Sequence, residues 1–140
     1  MIRPYDPADR EAIISIWRAA SAVAHPFLSE DFLAQETENM RNIYLPHAET
    51  WVLEHQGEPA GFIALLDSEI GGLFLDPNLH GTGKGRAMLT HARGLKGALT
   101  VEVFTNNTVG RRFYDRSGFT ETDRYMHEAT GQEVIRMRLE

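Results

Sequence analysis

The apolar residues of this chain follow two different periods, one typical of helices and one typical of strands. Apolar positions from Ile13 to Ala20 recur at helical spacing and predict an amphipathic helix that ends near Ser21. A second helix is predicted from an N-cap at Ser29 to a stop before Pro46. From Thr50 onward the pattern becomes that of short apolar strands separated by turn residues.

The predicted element order is β-α-α-β-β-β-α-β-α-β-β, which indicates one mixed α/β domain over residues 1–140. The strands are predicted at residues 2–5, 51–53, 60–66, 70–75, 99–103, 119–128 and 133–139. A glycine-rich loop leads into the third helix, and Asn107 caps a fourth helix that reaches Arg116.

Composition narrows the possible classes of protein. The 140 residues are 42% hydrophobic and 24% charged, which is ordinary for a globular domain. The absence of cysteine excludes disulfides, thiolate metal sites and covalent thiol catalysis, and we expect no metal. The charged, proline-broken N-terminus and the lack of a long apolar run predict a cytoplasmic protein with no membrane segment.

Charge is distributed unevenly along the chain, whose net charge is −6. Residues 27–79 hold ten acids against one base, whereas residues 80–140 hold ten bases against seven acids. If both halves line one cleft, the basic half suits an anionic ligand and the acidic half a cationic one; otherwise they are unrelated solvated surfaces. The net charge disfavours nucleic acid as a partner.

The glycines at 81, 83 and 85 lie between a predicted strand and a predicted helix, where free amides bind phosphate. The G-x-G-x-x-G dinucleotide pattern fails because position 86 is arginine. A Walker loop fails because Lys84 is followed by Gly85 instead of serine or threonine.

The loop instead matches the pattern Arg/Gln-x-x-Gly-x-Gly/Ala, with His80, Gly83 and Gly85 following Leu75 and Pro77. A second pattern, Asn-x-x-Ala-x-x-Phe-Tyr-x-x-x-Gly-Phe, is matched by Asn107, Gly110, Phe113, Tyr114, Gly118 and Phe119. With these two motifs at this separation, the chain resembles the GCN5-related N-acetyltransferase (GNAT) family. The helices around His25-Pro26-Phe27-Leu28-Ser29 resemble a bacterial subgroup, some members of which are proposed to act on peptidyl lysine.

The resemblance implies a mixed α/β fold whose central, mostly antiparallel sheet has six to seven strands and about four flanking helices. The fourth and fifth strands would splay apart, and the pantetheine of acetyl-CoA would insert there as a surrogate strand. His80 replaces the usual arginine or glutamine, and Gly110 replaces the usual alanine. The cofactor-binding residues implied are Leu73, Phe74, Leu75, His80, Gly81, Thr82, Gly83, Lys84, Gly85, Arg86, Asn107, Gly110 and Phe113.

Three residues are candidates for the chemistry. The resemblance implies that the Tyr114 hydroxyl donates to the departing thiolate, although its spacing alone also suits a core aromatic. Glu69, at the start of the fourth strand, is the first candidate for the base that accepts the amine proton, and the alternative is a solvated carboxylate. His25 is the second candidate, with a loop-fixing or exposed histidine as the alternative.

The implied activity is an acetyl-CoA-dependent N-acetyltransferase that transfers the acetyl group directly to a primary amine in a ternary complex. The acidic half favours a cationic acceptor, either a small molecule or a protein lysine. A non-catalytic module that binds acetyl-CoA or CoA is the alternative. The oligomeric state stays open, with a homodimer through the terminal strands common among relatives.

Overall fold

A seven-stranded β-sheet forms the centre of the computed structural model, which describes residues 1–140. The strands are β1 (Ile2–Pro4), β2 (Glu49–His55), β3 (Glu58–Leu66), β4 (Glu69–Leu75), β5 (Leu99–Phe104), β6 (Thr120–His127) and β7 (Gln132–Leu139). They lie in the order β1-β2-β3-β4-β5-β7-β6, with β4 and β5 parallel and every other pair antiparallel. The predicted mixed α/β fold is confirmed.

The helices are α1 (Arg10–Ala24), α2 (Glu30–Asn39), the single turn α3 (Leu45–His47), α4 (Lys84–Lys96) and α5 (Thr108–Arg116). Short 3-10 turns cover Pro7–Asp9 and Pro77–Leu79. The predicted cap at Ser29 is present, because its hydroxyl accepts a hydrogen bond from the Phe32 amide at 3.1 Å. The helix that follows reaches α3 through a π-helical turn at Met40–Tyr44. None of the helices combines the length and apolar character needed to cross a membrane.

The core lies on both faces of the sheet. Adjacent residues of β3 show the division, since Phe62 packs in the cluster beneath α1 and Ile63 in the cluster beneath α4. Trp17 is buried in the cluster beneath α1, as predicted from its helical spacing. Two other aromatic residues of the sheet are only half-buried: Trp51 packs on the His91 ring, with centroids 4.4 Å apart, and Phe104 lines a cleft.

The sheet opens between its fourth and fifth strands. β4 and β5 are paired only at Glu69 with Thr100 and at Ile70 with Val101, although the strands continue to Leu75 and Phe104. Beyond those two pairs the facing backbone groups have no cross-strand partner. The predicted splay is therefore present, and it puts two unpaired strand edges in the middle of the molecule.

Candidate functional site

A cleft of about 1000 Å³ occupies the opening between β4 and β5. Its walls come from both strands, from α1, α2 and α5, and from the glycine loop before α4. Of the predicted site residues, the cleft is lined by His25, Leu73, Phe74, Leu75, His80, Gly81, Gly83, Gly85, Arg86, Asn107, Gly110, Phe113 and Tyr114. Glu69, Thr82 and Lys84 are the three that do not line it.

The glycine loop presents a group of unpaired amides at the start of α4. The first hydrogen bond of this helix runs from the Ala87 amide to the Gly83 carbonyl at 3.0 Å, so the amides of residues 84–86 have no helical acceptor. No protein group accepts from the amides of Gly81 or Gly83 either. The Thr82 hydroxyl, in contrast, donates to the Leu79 carbonyl and is used within the loop. Five amide donors and the positive end of a helix dipole suit a phosphate group.

Two glycines allow close contacts beside this loop, one between α4 and α5 and one at the N-terminus of α5. A Cβ on Gly85 would lie 3.2 Å from Cε1 of Phe113, so glycine allows the close approach of the two helices. A Cβ on Gly110 would lie 2.5 Å from Nδ2 of Asn107, whose Oδ1 accepts from the Gly110 amide at 2.8 Å. An alanine at this position would therefore require the Asn107 side chain to shift from the place that it occupies here.

Charged side chains of both signs line the cleft. Arg86, Arg112 and Arg116 line it from α4 and α5, and none of them forms an ion pair. Glu36 on α2 and Glu102 on β5 line it from the other elements and have no cationic partner either. The cleft thus combines an anion-binding end with carboxylates suited to a cation.

The predicted split into an acidic and a basic half holds only in part at this cleft. Of the ten acids in residues 27–79, Glu36 alone lines the cleft, and Glu102 comes from the basic half. Glu36 is held in place by the Tyr44 hydroxyl at 3.1 Å and by Nδ2 of Asn39 at 2.9 Å. Most of the acidic half is therefore ordinary solvated surface.

Tyr114 lies in the cleft wall with only 6% of its surface exposed. Its ring packs edge-on against Phe113 and Phe119, at centroid distances of 5.2 and 5.1 Å. Burial raises the pKa of Tyr114 well above its usual value, so the hydroxyl keeps its proton at neutral pH. No protein acceptor takes that proton, which leaves the hydroxyl free to donate to a ligand.

The two carboxylates nearest the strand opening occupy different positions. Glu69 lies outside the cleft wall, and one of its carboxylate oxygens is 3.5 Å from Nη1 of Arg136. Glu102 lines the cleft from β5 and accepts a hydrogen bond from the Tyr125 hydroxyl. The structure therefore does not bring the first candidate base into the cleft and places a different carboxylate there.

Comparison with known proteins assigns the chain to a protein family. The model of the acetyltransferase (GNAT) domain matches residues 46–121. The chain belongs to the GNAT family of N-acetyltransferases. It is 38% identical over 115 residues to the peptidyl-lysine N-acetyltransferase YjaB of Salmonella typhimurium, a match that covers 81% of this chain and 79% of the relative.

Solved structures show the same GNAT fold. The apo-form of YjaB from Escherichia coli matches with a TM-score of 0.89 and 28% identity, over 99% of this chain and 95% of that one. The PaiA N-acetyltransferase of Thermoplasma acidophilum, solved in complex with coenzyme A, matches in fold with a TM-score of 0.82 at 18% identity, over 97% and 96% of the two chains.

The other predicted GNAT residues occupy distinct places around the cleft. His80 is exposed at the end of the 3-10 turn and lines the cleft. Arg111, next to Arg112 on α5, donates to the Thr105 carbonyl at 3.1 Å and does not line the cleft. His25 is buried, and the desolvation lowers its pKa to about 4. Its Nε2 already has Asn107 as a partner at 3.3 Å, an arrangement that fits the loop-fixing alternative better than a base.

Glu102 is the functional candidate that the sequence pattern of this GNAT chain did not single out. Leu99, Val101 and Val103 are buried in the cluster beneath α4, so the alternation of β5 turns Glu102 to the opposite face. That alternation is visible in the sequence. Its meaning requires knowing that β5 borders the opening of the sheet.

Substitutions of two glycines test whether the backbone of the glycine loop requires glycine at residue 83. We expect Gly83→Ala to destabilise the protein by about 1–2 kcal/mol, because Gly83 has a φ of +83° and nothing lies within 4 Å of the added Cβ, leaving backbone strain as the cost. Gly94→Ala, in the exposed last turn of α4, should stabilise it by up to roughly 1 kcal/mol. Urea denaturation of both variants measures the difference, and equal effects would show that the Gly83 conformation carries no strain.

Proposed function

We propose that this N-acetyltransferase transfers the acetyl group of acetyl-CoA directly to the primary amine of a cationic acceptor, either a protein lysine or a small amine. The observation that carries the proposal is the cleft through the opened sheet, which is bordered by the unpaired amides of the glycine loop and is also lined by two carboxylates. The name of the Salmonella relative, a peptidyl-lysine N-acetyltransferase, supports a lysine acceptor. The coenzyme A complex of the Thermoplasma neighbour supports the donor.

The anionic end of acetyl-CoA fits the glycine loop. The unpaired amides of Gly81, Gly83 and residues 84–86 would donate to the pyrophosphate oxygens, and Arg86 and Arg112 would add charge-assisted hydrogen bonds. The extended pantetheine would then pair with the free backbone edge of β4, as a strand adds to an open sheet. The amides near residues 73–75 would polarise the thioester carbonyl.

The chemistry is an aminolysis of the thioester. A bond forms between the amine nitrogen and the acetyl carbon, the carbon–sulfur bond breaks, and the nitrogen loses one proton. Glu102 is the carboxylate of the cleft wall nearest the opened strands and would accept that proton, directly or through water. No cysteine is present to carry the acetyl group, so the attack would occur in a ternary complex.

The Tyr114 hydroxyl would stabilise the departing thiolate. Between a free phenol of pKa about 10 and a thiol of about 8.5, full proton transfer is uphill by about 2 kcal/mol. Burial raises the pKa of Tyr114 further and makes full transfer less favourable. The hydroxyl therefore acts as a hydrogen-bond donor, and the coenzyme leaves as a stabilised thiolate that solvent protonates.

Calorimetric titration of the purified protein tests the donor. We expect saturable binding of acetyl-CoA and of CoA, and no binding of ATP, because ATP has phosphates but no pantetheine to pair with β4. Absence of acetyl-CoA binding would overturn the proposal.

Release of CoA thiol, measured with a lysine peptide and with small amines, then tests the acceptor. We expect turnover with cationic amines and none with acidic amino acids, since the carboxylates Glu36 and Glu102 repel a second negative charge. Binding without turnover for any amine would indicate a non-catalytic CoA-binding module. The cytoplasmic location and the homodimer remain predictions.

A further inference from the structure

His25 lies beside the splayed ends of the two strands that border the cleft. It follows α1 directly, lines the cleft and is 9% exposed. Its Nε2 lies 3.3 Å from Nδ2 of Asn107, a residue 82 positions further along the chain, and its Nδ1 lies 3.4 Å from the Ser21 hydroxyl. One imidazole thus connects the end of α1 to the residue that caps α5.

The hydrogen bonds of Asn107 determine which ring nitrogen of His25 carries the proton. Oδ1 of Asn107 accepts from the Gly110 amide at 2.8 Å, so the amide nitrogen Nδ2 is the atom that faces His25. An amide nitrogen only donates, and therefore Nε2 of His25 must be the unprotonated acceptor. The neutral ring then carries its proton on Nδ1, which faces the Ser21 hydroxyl.

The His25 ring also spans the opening of the sheet. Its centroid is 6.3 Å from that of Phe74 on β4 and 5.3 Å from that of Phe104 on β5, both in edge-on geometry. The Phe27 ring belongs to the same aromatic cluster, with its centroid 5.8 Å from that of His25. β4 and β5 do not pair with each other at this level, and the His25 ring contacts a side chain of each strand there.

We propose that His25 is a positioning residue that holds the gap between β4 and β5 at the width acetyl-CoA requires and keeps the Asn107 amide in its capping orientation. The proposal rests on the proposed function in assigning acetyl-CoA to that gap. On this proposal, His25 affects the affinity for acetyl-CoA through its contacts with Asn107, Phe74 and Phe104. It takes no part in proton transfer. The groups that contact the ring, which are Ser21, Asn107 and three phenylalanines, are uncharged, and the titratable His127 packs on the Phe104 ring with the two centroids 5.4 Å apart.

The tautomer provides a test that needs no ligand. Long-range proton–nitrogen NMR spectra of the free protein should show His25 as a neutral ring with its proton on Nδ1 between pH 6 and 8. A ring protonated on Nε2, or one that titrates near its usual pKa of about 6.5, would contradict the hydrogen bond to Asn107 and overturn the proposal.

Substitutions test the effect on the donor. His25→Phe keeps an aromatic ring but removes the acceptor for Asn107, and we expect acetyl-CoA to bind about tenfold more weakly, as for the loss of one hydrogen bond. His25→Gln restores an acceptor oxygen and should recover part of that affinity. His55→Phe, at the end of β2 and outside the cleft, is the matched control and should bind like the unaltered protein.

The outcomes separate the alternatives. Thermal unfolding of each variant without ligand shows whether weaker binding reflects general loss of fold. If turnover by His25→Gln falls by about 100-fold or more while its acetyl-CoA affinity stays unchanged, His25 is the base and the positioning role is overturned. If the unaltered protein does not bind acetyl-CoA, the proposed function fails, and the NMR result still decides whether the His25–Asn107 contact exists.

Discussion

Replacement of Tyr114 by phenylalanine should slow turnover by about 10²- to 10³-fold, the usual cost of removing one donor to a developing negative charge. The ring contacts to Phe113 and Phe119 persist in this variant, and the lost hydroxyl has no protein partner. The fold and the acetyl-CoA affinity should therefore change little. Steady-state kinetics of thiol release, together with calorimetry of acetyl-CoA binding, measures the two effects separately.

A matched control makes this result specific. Tyr5 is a half-buried tyrosine outside the cleft, and Tyr5→Phe also removes one hydroxyl. We expect its turnover rate to stay within about twofold of the unaltered protein. Turnover by Tyr114→Phe at the same rate as Tyr5→Phe would exclude the hydroxyl from the reaction and leave Tyr114 as a core aromatic.

The order of elements could be predicted because hydrophobic period and turn residues are local signals. The caps at Ser29 and Asn107 are examples, since each places a polar side chain directly before an amphipathic run. The π-helical turn at Met40–Tyr44 carries no such signal and was not predicted. The opening between β4 and β5 is a property of two strands separated by α4, so only the resemblance to a family predicted it.

The site could be predicted where its residues belong to one sequence motif. It could be predicted less well where residues far apart in the sequence come into contact. The glycine loop presents its amides as expected, because loop, turn and helix start lie close together along the chain. The role of His25 depends on Asn107, 82 positions away, and the ion pair of Glu69 depends on Arg136 of β7. Such contacts follow from strand order and register, which local patterns do not encode.

The choice between the two carboxylates gives the second large expected effect. We expect Glu102→Gln to lower kcat/KM for the amine by about 10²- to 10³-fold, because an amide cannot accept the proton that the attacking nitrogen loses. The Tyr125 hydroxyl can still donate to the amide oxygen, so the strand should keep its position. Affinity for acetyl-CoA, measured by calorimetry, should be unchanged within about twofold.

Glu69→Gln is the matched control, since it removes the same charge from the other strand of the opening. It breaks a half-exposed ion pair with Arg136, a contact of the kind that contributes at most about 1 kcal/mol to stability, and turnover should fall less than about threefold. The opposite pattern, with the loss in Glu69→Gln alone, would restore the first sequence candidate. It would also show that the ion pair with Arg136 opens during turnover.

The pH dependence of Glu102→Gln distinguishes a missing base from a distorted site. Without a base, only acceptor molecules that are already neutral react, and their fraction rises about tenfold per pH unit below a lysine pKa of about 10.4. The rate of the variant should therefore keep rising up to that pH and approach that of the unaltered protein. A variant equally slow at every pH would have lost geometry, and Glu102 would then be a positioning residue for β5 and Tyr125 instead of the base.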